Sequence, residues 1–153
     1  MSIHISKKIK ETELDENTTF VEALFLLQDI LSSDSDSNDN NKAIIVMNDF
    51  SEKMKSLKCC LDYSQESIFI LLYSSILLYN DIFNIKIKKK ITMNQFIKML
   101  KGCNSKNDFP EDFLISIYHN VQTNKSDKND KDDKSDKSDK NDKNKKNNWC
   151  VIL

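Results

Sequence analysis

Arginine is absent from this 153-residue chain, and glycine, proline and tryptophan occur once each, as Gly102, Pro110 and Trp149. With so few residues suited to tight hairpins, the apolar residues have little with which to build a multi-stranded sheet, and helices are the expected alternative. The formal charge of -1 provides no broad basic field for phosphate neutralisation, which argues against DNA or RNA as a partner. Cysteines 59, 60, 103 and 150 show no C-x-x-C spacing, and His4 and His119 stand far apart without ligand-like neighbours, so neither a metal site nor a cofactor is expected. One glycine cannot supply a G-x-x-x-x-G-K-[ST] phosphate loop, which excludes a GTPase. The N-terminus has too short an apolar stretch for a signal peptide and lacks the glycine at position 2 that myristoylation requires, so a cytosolic chain with reduced cysteines is expected. The longest uncharged run, Ser67 to Asn80, falls short of the about 20 apolar residues that a bilayer span needs, and reads as a central core helix.

What is present divides the chain unevenly. Residues 124–148 are almost wholly Lys, Asp, Asn and Ser, with little to bury, and are expected to be disordered. The last four residues, Cys150-Val151-Ile152-Leu153, form a C-a-a-X box whose terminal leucine favours geranylgeranyl transfer. Cys150 is therefore the expected substrate of a protein prenyltransferase. Between Lys125 and Lys146, nine lysines face seven aspartates, so the tail is mostly a spacer; Lys143, Lys145 and Lys146 form its one unopposed basic group, next to Trp149. A single lipid chain holds a membrane reversibly and needs a second signal. The expected location is peripheral, on the cytosolic face of a membrane.

About 120 residues remain to fold. Thr18 or Thr19 can cap a helix with Glu22 in its first turn and Phe20, Leu24, Leu27 and Leu31 at three- and four-residue steps. It leads into Ser32 to Asn41, a low-complexity Ser/Asp/Asn loop. A second helix from about Lys42 to Lys58 is expected to bury Ile45, Met47, Phe50, Met54 and Leu57. Ser64 can cap the core helix, with Glu66 in its first turn. Thr92 can cap a fourth helix through Met93, Phe96, Ile97 and Leu100, ended by Gly102 in a left-handed C-cap. Pro110 opens a fifth, with Phe113, Leu114, Ile117, Tyr118 and Val121 facing inward. Lys86, Lys88, Lys89 and Lys90 read as a solvated connection, or as a contact to anionic headgroups at about 1 kcal/mol per lysine.

From Ser64 to Val121 these residues resemble the C-terminal half of the Sec-seven domain, the catalytic domain of ARF guanine-nucleotide exchange factors such as the cytohesins. The run from Tyr73 to Asn84 (Y-S-S-I-L-L-Y-N-D-I-F-N) lies on the family's Y-S-I-I-M-L-N-T-D-L-H-N. Lys90-Ile91-Thr92 lies on K-M-T, Lys101-Gly102-Cys103-Asn104 on R-G-I-N, Asp108-Phe109-Pro110 on D-L-P, and Ile117-Tyr118 on the closing L-Y. No gap is needed. Upstream, Val21 to Leu24 and Met47 to Lys53 look like the helices flanking the family's catalytic loop, so the resemblance runs over about 18 to 121. The fold it implies is all-α: a partial Sec-seven-like domain of about five helices at 18–122, after an N-terminal extension at 1–17 and before a disordered tail at 123–149 and the prenylation box at 150–153. The family's N-terminal half is expected to be missing.

The resemblance implies an ARF-family small GTPase as partner, held in a groove at Tyr73, Ile76, Leu77, Asn80, Asp81 and Asn84. It also implies a glutamate in the catalytic loop, which displaces the GTPase's magnesium ion and repels the β-phosphate of GDP. Here that loop is Ser32 to Asn41, without glutamate. Counting back from Met47 puts Asp39 at the finger, with Asp36 and Asp34 as alternatives under other gap placements. Aspartate keeps the charge but must approach about 1.5 Å closer, and ordering such a loop costs roughly 1–2 kcal/mol per fixed residue. Tyr79, Phe83 and Ile85 replace the family's Asn, His and Pro. The expectation is a divergent exchange factor of weak or lost activity; the alternatives are a non-catalytic membrane-anchored binding module that engages ARF or another partner, and a truncated gene product.

Overall fold

The computed structural model describes residues 3–33 and 40–129, which form six α-helices and one short 3-10 turn. Among the described residues no named strand occurs, in keeping with the scarcity of turn-forming residues. The helices are α1 (Ile3–Glu11), α2 (Phe20–Ser32), α3 (Asn40–Met54), α4 (Gln65–Phe83), α5 (Met93–Met99) and α6 (Glu111–Asn129), with the 3-10 turn at Lys58–Cys60 between α3 and α4.

Their starts follow from local chemistry. Thr19 caps α2: its hydroxyl accepts the Glu22 amide, and the Glu22 carboxylate accepts the Thr19 amide at 2.7 Å, satisfying two otherwise orphaned donors. That reciprocal bonding holds the Glu22 carboxyl below its ordinary range, the backbone hydrogen bond from Thr19 acting first. Thr92 and Gln95 repeat the arrangement at α5, and the Ser64 hydroxyl accepts the Ser67 amide at α4. Gly102 takes φ +73°, a left-handed conformation that costs other residues more, and its amide donates to Asp108. The Pro110 carbonyl accepts from Phe113 and Leu114 as α6 begins.

The core is organised around α4, which packs on α2, α3, α5 and α6. Although α4 has the length and hydropathy of a membrane span, most of it is enclosed by its neighbours. Ile68, Leu71, Leu72, Ile76 and Leu78 are buried with Leu24 and Leu27 of α2, Met47 and Phe50 of α3, Phe96 of α5 and Ile117 of α6.

Three features depart from the sequence expectations. First, α1 lies inside the expected N-terminal extension and packs on α2 and α3. Lys53 of α3 donates to the carbonyls of Ile9, Lys10 and Thr12, satisfying acceptors left over where α1 ends. Second, Ile45 is 43% exposed and Val46 is buried in its place, while Met47, Phe50, Met54 and Leu57 are buried as expected. Third, α6 continues to Asn129, past the point where the tail was expected to begin. The remaining tail, with Lys143, Lys145, Lys146 and Cys150, lies outside the described residues.

Candidate functional site

Two neighbouring helices, α3 and α4, leave a stripe of each uncovered. On α4 the half-buried or exposed positions Glu66, Phe69, Ile70, Tyr73, Leu77, Asn80 and Asn84 recur at helical spacing. On α3, Ile44, Ile45 and Asn48 are exposed. Between them lies a groove of about 630 Å³ lined by Ile44, Ile45, Asn48, Gln65, Glu66, Phe69 and Ile70. The Gln65 side-chain amide reaches Asn48 Oδ1 at 3.4 Å and closes one end.

Asn48 sits beside Gln65, and Ile44 and Ile45 beside Phe69 and Ile70, so the two helices run antiparallel. This register carries the start of α3 toward Tyr73 and the C-terminal half of α4. The ring of Tyr73 stacks on Phe69, centroids 6.4 Å apart, extending the apolar floor, and burial raises the Tyr73 hydroxyl above its ordinary pKa. At the start of the acidic loop, Ser33 accepts a hydrogen bond from Lys8 of α1 at 2.7 Å. Asp34, Asp36 and Asp39 themselves lie outside the described residues.

Of the sequence-predicted partner residues, Tyr73, Leu77, Asn80 and Asn84 share this open stripe. Ile76 and Asp81 do not: both are buried in the domain and present no surface. Ile76 packs in the core at the edge of the stripe. The Asp81 carboxylate accepts the Ile91 amide at 2.9 Å and stands 4.0 Å from the Lys90 ammonium, while the Tyr118 hydroxyl donates to the Ile91 carbonyl at 3.0 Å. Burial, with the Asp81 charge second, raises the pKa of Tyr118. Asp81 thus ties the α4–α5 connection down. Sequence reasoning missed Ile44, Ile45, Phe69 and Ile70; the signal was there in Ile44-Ile45-Val46, three adjacent aliphatics on one helix that cannot all face one core.

The groove is apolar, edged with amides and a single carboxylate, Glu66. Among the described residues no group of His, Cys, Asp and Glu could hold a metal ion. Such a surface can bind an apolar face of another protein; repulsion of a phosphate would have to come from an acidic group brought alongside it. A larger recess of about 770 Å³ lies between the start of α2, the 3-10 turn and α6, but none of the predicted residues borders it.

Residues 10–126 match the Sec7 domain family. This chain belongs to that family. Over 62 residues it is 37% identical to brefeldin A-inhibited guanine nucleotide-exchange protein 1 of Homo sapiens, a stretch covering 40% of this chain and 3% of that protein. Over 80 residues it is 31% identical to the ARF guanine-nucleotide exchange factor GNOM of Arabidopsis thaliana, covering 52% of this chain and 6% of that protein. The chain thus spans a small part of the relatives it matches. In fold it is similar to the crystal structure of the Sec7p catalytic domain, with a TM-score of 0.63 at 22% identity over 75% of this chain and 59% of that one. It is also similar to a chimeric protein holding the Sec7 domain of Rickettsia prowazekii RalF, with a TM-score of 0.60 at 25% identity over 79% of this chain and 34% of that one. Both likenesses agree with an all-α Sec7 fold.

Proposed function

We propose that this Sec7 domain is a guanine-nucleotide exchange factor for an ARF-family small GTPase, of weak or lost exchange activity, tethered to the cytosolic face of a membrane by a prenyl group on Cys150. The observation that carries the reading is the open α4 stripe of Tyr73, Leu77, Asn80 and Asn84, which continues along α4 the exposed line of Glu66, Phe69 and Ile70 at the α3–α4 groove. That the human and Arabidopsis thaliana relatives are guanine-nucleotide exchange proteins supports it.

Exchange is weak in this account for two reasons. The loop offers aspartates where the family has a glutamate. Tyr79 and Phe83, in place of the family's Asn and His, stack on each other at 4.3 Å, and Tyr79 meets Phe25 edge-on at 5.9 Å, so they pack where polar groups would serve a partner. The same stacking favours a second reading, a membrane-anchored module that binds the GTPase without exchange.

Release of a fluorescent GDP analogue from an ARF-family GTPase on vesicles separates the two. Slow stimulation by wild type, abolished by Asp39→Lys and raised by Asp39→Glu, is the expected result. Binding without stimulation selects the second reading, and absence of both overturns the proposal. For the anchor, Cys150→Ser is expected to move the protein from membrane to cytosol on fractionation, and unchanged partition would remove the prenyl group from the account.

A further inference from the structure

The α4–α5 connection is held rigid by the domain yet turns its most apolar residue outward. Residues 84–87 form a β-turn: the Ile87 amide donates to the Asn84 carbonyl at 3.3 Å, and the Lys86 amide to Asn84 Oδ1 at 3.0 Å. Ile87 is buried and anchors the turn, and Asp81 fixes its far end through the Ile91 amide. Lys90 is drawn inward, its ammonium bonding the Asn84 carbonyl at 3.4 Å near the Asp81 carboxylate. Left outside are Lys86, Lys88, Lys89 and, at the tip, Ile85, 73% exposed and the most exposed large apolar side chain among the described residues.

Nothing in the fold explains an isoleucine there. The first corner of such a turn favours proline for its fixed φ, and proline is what the family pattern carries. A β-branched apolar residue offers the turn no conformational advantage, and in water it exposes surface. Along the sequence the charge beside it is one-sided: residues 82–107 hold seven lysines and no acidic residue, although the whole chain is close to neutral.

We propose that the 84–89 turn is a membrane-docking element, in which Ile85 enters the headgroup region of an anionic bilayer while Lys86, Lys88 and Lys89 lie over its phosphates. The chemistry is that of interfacial insertion: an apolar tip supplies burial, and each lysine near an anionic surface adds to it. Because the turn is already clamped, insertion orders no further chain. Asn84 ends the α4 stripe and begins this turn, so a docked turn sets the GTPase-facing groove at a fixed height over the bilayer. The docking itself does not depend on exchange activity or on the prenyl group.

The 153-residue chain made in bacteria, which add no prenyl group, is mixed with vesicles of phosphatidylcholine alone or with phosphatidylserine. Sedimentation with the anionic vesicles only, weakened by salt, is expected. Lys88→Gln with Lys89→Gln should lower the partition by about 25-fold, at roughly fivefold per lysine, and Ile85→Asp by about tenfold. All three side chains are exposed, so these variants should melt as wild type. In a Trp149→Phe background, Ile85→Trp should shift its emission to the blue on anionic vesicles and be quenched by brominated lipid. The proposal is overturned if wild type ignores anionic vesicles, if the loop variants bind undiminished while Lys143→Gln, Lys145→Gln and Lys146→Gln together abolish binding, or if the emission of the tryptophan introduced at position 85 does not move. Binding that depends on the lysines and not on Ile85 would mark a general polyanion site and overturn the lipid assignment.

Discussion

Replacing Asp81 by alanine tests whether this carboxylate is a structural clamp. The side chain is fully buried, accepts the Ile91 amide and lies 4.0 Å from the Lys90 ammonium, which is itself about one-fifth exposed. Losing a charge-assisted hydrogen bond costs about 1.5–3 kcal/mol. The Lys90 contribution is discounted because that ammonium can turn to water, so the total is about 3 kcal/mol. For a domain of this size each kcal/mol moves the melting temperature by about 4 °C, which predicts a fall of about 12 °C by circular dichroism at 222 nm. Asp81→Asn keeps an oxygen for the Ile91 amide and should lose about half as much. Adding Lys90→Met to Asp81→Ala should cost little more, since the partner charge is already orphaned. If both Asp81 variants stay within about 0.5 kcal/mol of wild type in urea titrations, the clamp does not exist and the rigidity of the 84–91 connection must have another origin.

Alkaline pH provides a second test. Burial, and for Tyr118 also the Asp81 charge, raises the pKa of Tyr63, Tyr73 and Tyr118 in the folded state. The folded form then holds these protons more tightly than the unfolded one, so the associated stability is present below about pH 10, the unfolded value, and is lost as pH rises through the folded values. Melting temperature should fall above about pH 10, less steeply in Tyr118→Phe; identical slopes would refute the assignment to Tyr118. Burial, with the neighbouring Cys59 second, pushes the Cys60 thiol far up and keeps it un-ionised, so iodoacetamide at mildly alkaline pH should leave Cys60 unmodified until urea is added. Labelling of Cys60 at the same rate with and without urea would contradict its burial.

Local signals in this sequence are strong where one short segment carries the whole instruction. Thr19 with Glu22, Ser64, and Thr92 with Gln95 each act within three residues, and each does in the structure what its spacing implies; Gly102 takes the expected left-handed conformation, but in the turn after α5, whose C-cap is Leu100. The central place of α4 was equally legible, because a long uncharged run has nowhere else to go. What escaped is tertiary. The helix at Ile3–Glu11 is short and lysine-rich, and it is held by Lys53, 41 or more residues away. Which of Ile45 and Val46 at the edge of the α3 face is buried depends on the face that α4 presents. Family spacing groups Ile76 and Asp81 with Tyr73 and Leu77, and at 3.6 residues per turn these two flank the open stripe, one on each side; packing against α3, α5 and α6 decides where the stripe's edges are covered. The loop that carries Asp39 has no apolar anchor of its own, so its sequence fixes a charge and not a position.

Binding of a nucleotide-free ARF-family GTPase to the immobilised 153-residue chain, measured by interferometry for wild type, Tyr73→Ala and Leu77→Asp, tests the central claim most directly. The account predicts a saturable complex for wild type that weakens at least tenfold in each stripe variant, since a buried apolar anchor lost from an interface costs more than about 1.4 kcal/mol, while both variants retain the wild-type helical spectrum. A wild-type chain that binds no such GTPase, or stripe variants that bind as tightly as wild type, would contradict it.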